Sequence, residues 1–371
     1  MNSEKQLHFV SMDVPFPPNY GGIIDVFFKL KAFNQSGVKV YLHLFGFKNE
    51  RNLELEKYAE EVYFYPIKQN PFLVFNKYPI SVSSRNGEKL YSNLIKNKAP
   101  IFFESLKTTK ILNQFSLPNF SKFLRLHNIE QNYFEGLSKS EWNPVKKKLF
   151  ELEAKKYIDY EKIITQFDQV FTLSNYEQSY VFNKYKKGTF VPVFHGNEFF
   201  RNLDGFGDYI LYHGDLRASD NKKSLEFLID TFKEIDYPFL IASSNQEKWV
   251  KSKIANHKNM KFVYLENFNH LLELFSGAHI NVSWSFQQSG TKLKVVNALF
   301  NSRFSVINDK VVDDKNIRQL CVEACDKAEL ISQINKLIQT PFQPSVNYKF
   351  ILENYLNDKL NAQKILKEIF P

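Results

Sequence analysis

Two lysines, Lys292 and Lys294, follow the turn Ser289-Gly290-Thr291 in the stretch SWSFQQSGTKLKVVNALFNSRFSVIND, Ser283 to Asp309. The pattern reads as a strand end at Ile280–Ser283, a polar loop, an amphipathic helix over Lys292–Asn301 and a short strand over Phe304–Ile307. A Ser-Gly-Thr turn that opens a helix leaves backbone N–H groups unpaired, and the helix dipole makes that end a site for phosphate or carboxylate. Both lysines then oppose the dipole unless an anion is present. The plainer reading makes Thr291 an ordinary N-cap and leaves both lysines solvated.

A second candidate is His127, which follows the apolar run FLRL and opens the segment HNIE. A histidine at a strand's carboxyl end can hydrogen-bond a hydroxyl or stabilise developing charge; its alternative duty is to cap the next helix. Gly21 and Gly22 form a third, a paired-glycine turn at a helix start that lets a ligand approach backbone, or simply a tight turn after Pro17 and Pro18. Asp13, Glu104, Glu130, Glu177, Arg217 and Lys222 also follow apolar strands. Ser174 and Glu177 have the spacing of a capping box, a structural role.

These residues must be positioned by something, and the periodicity says what. Strand patterns at 7–12, Val38–Phe45, Glu61–Tyr65, Pro100–Glu104, Phe123–Leu126, Gln169–Leu173 and Thr189–Pro192 alternate with helical ones at Ile23–Gln35, Glu88–Ile95, Pro144–Phe167 and Asn175–Lys184. Alternation of this kind specifies a parallel, doubly wound α/β sheet. A polar stretch over Asn197–Tyr209 interrupts it. The alternation then restarts with strands at Tyr209–His213, Phe239–Ala242, Met260–Tyr264 and His279–Ser283, and helices at Lys222–Glu234, Gln246–Ala255 and Asn269–Ser276. A final helix is expected over 349–369. The expectation is an N-terminal domain over 1–198, a second over 199–348, and a last helix over 349–371 that packs back on the first. Ligands of such sheets sit beyond the strands' carboxyl ends, so two of them facing each other make a cleft.

At 371 residues the chain exceeds one ordinary core. Its 43% hydrophobic and 24% charged residues suit a soluble globular protein rather than a disordered one. No apolar run approaches 20 residues and no signal-peptide layout precedes the first strand, which points to the cytoplasm. The net charge of +9 allows nucleic acid, an anionic membrane surface or an anionic substrate as partner. The lysines are scattered, Lys146–Lys148 being the tightest run, and no nucleic-acid motif accompanies them, so nucleic acid is set aside. Cys321 and Cys325 are too few for a disulfide framework and lack the neighbours of a metal site.

Five motifs in order, PFPPNYGG, RLHNIEQNYF at Arg125, TLSNYE at Thr172, HGDLRASDNKKSLEFL at His213 and SGTKLKVVNAL at Ser289, resemble the retaining glycosyltransferases of the two-Rossmann (GT-B) type. The likeness is to bacterial members of the glycosyltransferase 4 group, glycosyl transferases group 1, and spans nearly the whole chain. It implies a hexosyltransferase-type enzyme that moves a sugar from a nucleotide sugar to a hydroxyl of a saccharide or lipid-linked acceptor. It further implies a role in cell-surface polysaccharide or glycoconjugate synthesis, at the inner face of the membrane, without metal or other cofactor. By position, Gly22 matches the glycine beside the donor diphosphate and His127 the histidine facing the sugar. Lys292 matches the basic residue that holds the diphosphate, and Asn221 the asparagine seven residues after the strand-end glycine, here Gly214. Gly21, Arg217, Lys294 and the Ser289–Thr291 backbone join the donor site. Two positions depart from the family. Asn297 stands where a glutamate holds the donor ribose, and Asp25 where an arginine is common. A catalytically degenerate relative that binds sugar or nucleotide within an assembly complex is therefore the rival reading.

Overall fold

The computed structural model describes residues 4–18, 21–48, 51–287 and 292–371. The chain divides into two compact units: one runs up to Gly196 and takes in Asp358–Pro371, the other is Asn197–Asn357.

In the first unit the apolar runs become seven parallel strands, β1 (Gln6–Ser11), β2 (Lys39–Gly46), β3 (Glu61–Pro66), β4 (Ile101–Glu104), β5 (Lys122–Leu126), β6 (Gln169–Thr172) and β7 (Thr189–Phe190), in the order 3-2-1-4-5-6-7. Residues 7–11 of β1 and all four of β4 are buried, as helices on both faces of a parallel sheet require. Strand order reverses at β1, which pairs with β2 on one side and β4 on the other. The carboxyl ends of β1 and β4 therefore flank the switch point at which such sheets take ligands.

Helix α1 (Gly21–Gln35) crosses from β1 to β2. Against it lies the chain's last helix. The single helix expected over 349–369 is instead three pieces: Val346–Phe350, a π-helical turn Ile351–Tyr355, and Asp358–Ile369, which belongs to the first unit. Ala362, Ile365, Leu366 and Ile369 share a core with Val26, Leu30 and Phe33 of α1, and each large aliphatic among them contributes about 1.5 to 3 kcal/mol. The break has a tertiary cause. The Asp358 carboxylate accepts from the backbone N–H of His195 at 3.2 Å and of Gly196 at 2.8 Å, where the chain leaves the unit. Gly196 has φ +74°, and a Cβ there would overlap the Phe28 ring, so only glycine fits.

The second unit repeats the arrangement with six parallel strands, β8 (Tyr209–His213), β9 (Phe239–Ser243), β10 (Met260–Tyr264), β11 (Ala278–Ser283), β12 (Phe304–Ile307) and β13 (Val322–Glu323), in the order 10-9-8-11-12-13. Its switch point lies between β8 and β11. Two expected boundaries shift here. The helix after β8 begins at Ser219, not Lys222, so Asn221 sits inside its first turn. The helix after β11 runs Leu293–Asn301 with Lys292 as its N-cap, so only Lys294 lies in the first turn.

Candidate active site

At the first unit's switch point the structure assembles five charged or titratable side chains that are almost wholly buried: Asp25, Lys29, Glu104, Arg125 and His127. Glu104 is the last residue of β4, Arg125 lies on the neighbouring β5, and His127 follows that strand by one residue. Lys29 Nζ donates to Asp25 at 2.7 Å and to Glu104 at 2.6 Å. Arg125 reaches Asp25 at 3.2 Å and also donates to the carbonyls of Thr172, Val191 and Pro192 at the ends of β6 and β7. The Asp25 carboxylate further accepts the Phe194 N–H at 2.8 Å. Burial by itself would raise the Asp25 carboxyl, but Arg125 and then Lys29 outweigh it and hold it well below the usual carboxylate range. Two carboxylates against an ammonium and a guanidinium make a neutral set, which is what allows it to be buried.

His127 is the outermost member. Its Nε2 lies 2.7 Å from Glu104 Oε2. It does not cap the next helix, α2 (Glu130–Ser140), whose N-cap is Ile129 and lacks a side-chain cap. The departure at Asp25 also receives a different explanation from loss of a ligand-facing arginine: Asp25 is buried structure, the counter-charge to Lys29 and Arg125. Single ligand atoms of Asp25, Glu104 and His127 lie within 4.8 Å of one another, a spacing that would suit a metal ion. Lys29 supplies the cation of that cluster. Gly21 and Gly22 open α1 beside it, and a Cβ at Gly21 would meet nothing within 4 Å.

The second cluster lies at the other unit's switch point and is organised by Asp220, in the first turn of helix α3 (Ser219–Phe232). Asp220 accepts from Ser285 Oγ at 2.7 Å and the Phe286 N–H at 2.9 Å, tying the loop after β11 to the helix after β8. Lys292 Nζ lies 3.5 Å from the same carboxylate. Lys294 is different. Its Nζ is buried and has no hydrogen-bond partner among the described residues, 5.1 Å from the centroid of the Tyr212 ring. Burial first, then repulsion by Lys292, lowers its ammonium to about 7, with Asp220 opposing the change. Both lysines therefore stand at the amino end of helix α4 (Leu293–Asn301), one restrained by Asp220 and the other desolvated and without a partner among the described residues.

The remaining expected residues fall in varied places. Ser289, Gly290 and Thr291 lie outside the described residues. Arg217 is 74% exposed and held by Asp215 at 2.7 Å. Asn221 turns its amide to the Asp215 carbonyl at 2.9 Å and accepts from the Tyr212 hydroxyl through its own carbonyl. Asn297 stands where the resemblance places the residue that holds the donor ribose. Its Oδ1 accepts the Asn197 amide at 2.9 Å, and Asn301 donates to Asn197 in turn at 2.7 Å. Ser174 is a true N-cap, accepting from the Glu177 N–H. Sequence reasoning missed Lys29 and Asp220 as site residues and noted Glu104 only as a polar strand end. An acidic residue at a strand's end and another in the next helix's first turn were the available signals.

Residues 207–340 match the family described as Glycosyl transferases group 1. The match lies within the second unit, and the two doubly wound units have the GT-B architecture; together they support a glycosyltransferase. Along its length it is 25% identical to an uncharacterized 44.6 kDa protein in the cps region of Klebsiella pneumoniae, over 97% of this chain and 98% of the relative. Its fold is similar to that of a glycosyltransferase from Rickettsia africae, with TM-score 0.65 at 12% identity, covering 99% and 98% of the two chains. It is also similar to Anabaena HepE in complex with UDP, with TM-score 0.57 at 12% identity over 99% and 95%.

Lys294 gives the second cluster a pH signature. In the free protein the amine is lowered to about 7 while the unfolded chain keeps the ordinary value, so the unfolded state binds more protons between these and stability rises with pH across that window. An anion beside Nζ favours the ammonium. Diphosphate binding at pH 8 to 9 is therefore expected to take up close to about one proton, read by calorimetry in buffers of different ionisation enthalpy. Lys294→Met should abolish the uptake. Equal uptake in the variant would remove Lys294 from the diphosphate's surroundings.

Proposed function

We propose that this glycosyltransferase moves a sugar, with retention, from a nucleoside-diphosphate sugar to a hydroxyl of a saccharide or lipid-linked acceptor. The likeness to a relative from a cps region favours capsular or related cell-surface polysaccharide as the product. The observation that carries the donor assignment is the buried Lys294 Nζ, without a partner among the described residues, beside Lys292 at the amino end of a helix, in the switch point of the second sheet. A desolvated cation without a counter-ion is costly, and a diphosphate supplies the counter-ion.

In the chemistry this implies, the sugar–oxygen bond to the diphosphate breaks through an oxocarbenium-like transition state and negative charge gathers on the leaving group. Lys292, Lys294 and the helix amino end stabilise that charge without having to reorganise. Asp220 keeps Lys292 in place before the donor arrives. In the first unit, Glu104 commits the Nε2 of His127, so Nδ1 is the nitrogen offered to the sugar. Gly21, where a Cβ would meet nothing within 4 Å, leaves space at the start of α1.

The test is a thermal-shift screen against UDP, GDP, ADP and CDP, since a ligand bound only by the folded state raises its melting point. One or more should stabilise the protein. Lys292→Ala should weaken the best of them by about 1.5 to 3 kcal/mol, the loss of one charge-assisted hydrogen bond; unchanged calorimetric affinity would refute the role. Proton NMR of the product's anomeric signal separates retention from inversion. The occupied Oδ1 of Asn297 favours the degenerate-partner reading, and nucleoside-diphosphate binding without turnover of any donor would establish it.

A further inference from the structure

The face of the first sheet that packs on the helix Glu88–Leu94 is apolar, with Val10, Phe45, Leu90 and Leu94 in one core, yet two imidazoles are fully buried on it. His8 of β1 and His43 of β2 stand two residues before Val10 and Phe45 and so point the same way. They belong to one hydrogen-bonded chain. His8 Nε2 lies 3.0 Å from the Asn97 carbonyl, His8 Nδ1 lies 3.0 Å from His43 Nε2, and His43 Nδ1 lies 2.8 Å from the Tyr65 hydroxyl, which accepts from the Asn93 amide at 2.9 Å. Burial lowers His8 against the Asn97 and Leu94 carbonyls, and burial, then His8 and Lys96, lowers His43 well below the ordinary value. Tyr41 and Tyr63 lie against the two rings, and the Glu61 carboxylate is taken by the Tyr63 hydroxyl and acts on neither ring. Both rings are therefore neutral, and neutral rings admit one proton order. A carbonyl only accepts, so His8 carries its proton on Nε2 and presents a bare Nδ1. His43 donates to it from Nε2, which leaves the His43 Nδ1 bare for the Tyr65 O–H and a Tyr65 lone pair for Asn93.

A proton added to either ring finds no acceptor waiting. It is accommodated only if His43 donates from Nδ1 to the Tyr65 oxygen, which turns the Tyr65 O–H against the Asn93 N–H and leaves a buried donor unpaired. We propose that this chain is an acid-sensitive latch: protonation breaks the tie that Asn93 and Asn97 make to the sheet, and the helix Glu88–Leu94 with the loop to Asn97 comes away reversibly. The rings are lowered in the latched state, so the released state binds more protons. The latch is then complete above the ordinary histidine value of 6.5 and is lost as pH falls below it. Release also reaches further along the chain. The Gly87 N–H before the helix donates to Gln114 Oε1 at 3.0 Å, and Gln114 ends the 3-10 helix Leu106–Asn113, which begins two residues after Glu104. Neither donor nor acceptor is involved, so the latch stands or falls apart from the transferase reading.

The experiment uses the full chain. Long-range proton–nitrogen correlation spectra of histidine-labelled protein at pH 7.5, with the two rings assigned by His8→Gln and His43→Gln, should show both as Nε2–H tautomers. Hydrogen–deuterium exchange, corrected for its intrinsic pH dependence, should show residues 88–97 losing protection roughly tenfold or more between pH 7 and 5 and regaining it on return to pH 7. His213 and His279 of the second unit are lowered as well, so variants assign the effect. His8→Gln combined with His43→Gln removes both titrating rings and should abolish the difference between pH 7 and 5. Asn93→Asp is the milder variant and answers the question even if the double variant does not fold. Its carboxylate accepts the Tyr65 O–H and so satisfies the reversed, protonated chain; protection of 88–97 should no longer fall toward pH 5, and one ring should gain a second proton. An Nδ1–H tautomer or a doubly protonated ring in the parent at pH 7.5 would overturn the proposal. So would protection of 88–97 that is unchanged from pH 7 to 5, or an acid response that survives in Asn93→Asp or in the folded double variant.

Discussion

Lys29→Met should destabilise the first unit by about 3 to 5 kcal/mol, the usual consequence of removing one partner from a buried ion pair. Lys29 has no solvent exposure, and its ammonium is shared by Asp25 and Glu104. Methionine fills the stem's volume but leaves both carboxylates facing each other, with Arg125 engaged only by the first. For a domain of this size each kcal/mol corresponds to roughly 2 to 4 °C, so the melting point should fall by about 6 to 20 °C. The acid limb should respond as well. The Asp25 carboxyl is held below its unfolded value, so its contribution is complete above the ordinary aspartate range and lost as pH falls through and below it. Weakening its cationic partners should move acid unfolding to higher pH. Differential scanning calorimetry at pH 7 and an acid titration followed by circular dichroism check both; a variant that melts with the parent would mean that the five-residue cluster is not assembled as described.

His127→Ala should lower the rate of transfer or donor hydrolysis at least tenfold, equivalent to about 1.4 kcal/mol in the barrier. The basis is placement: His127 stands at the carboxyl edge of the sheet with one nitrogen fixed by Glu104 and is the outermost member of an otherwise interior cluster. Truncation also removes a hydrogen bond from Glu104, but Lys29 still neutralises that carboxylate, so the fold should lose only about 1 to 3 kcal/mol. A positioning role for Glu104 has its own signature. Glu104→Gln should lower kcat with donor KM little changed and keep part of the activity that Glu104→Ala loses, because an amide still holds Nε2 by a hydrogen bond but without the carboxylate's charge. If His127→Ala turns over normally per folded molecule, the histidine is structural.

Both sheets were legible because parallel strands buried on two faces read as short, continuous apolar runs between turn residues, and the pattern at Tyr209–His213 or Phe304–Ile307 admits little else. His127 and Lys292 were legible from their positions at strand and helix ends. Their supporting partners were not. Glu104 lies 75 residues from Lys29 and 23 from His127, and Asp220 lies 72 from Lys292, so nothing local announces the pairs. Lys29 itself reads as an ordinary solvated helix lysine until a buried carboxylate is found on each side of it. The last helix was drawn unbroken because its amphipathic period continues past Leu356; the hydrogen bonds of Asp358 to the chain at His195 and Gly196 are tertiary and leave no periodic trace.

Catalysed transfer from a nucleotide sugar is checked by incubating the purified protein with a panel of UDP-, GDP-, ADP- and CDP-sugars and measuring release of the nucleoside diphosphate. Release is expected from at least one donor, accelerated by an acceptor saccharide, reduced tenfold or more by His127→Ala and requiring higher donor concentration in Lys292→Ala. A protein that neither releases nor binds any of these nucleotides, while folded and melting cooperatively, would contradict it.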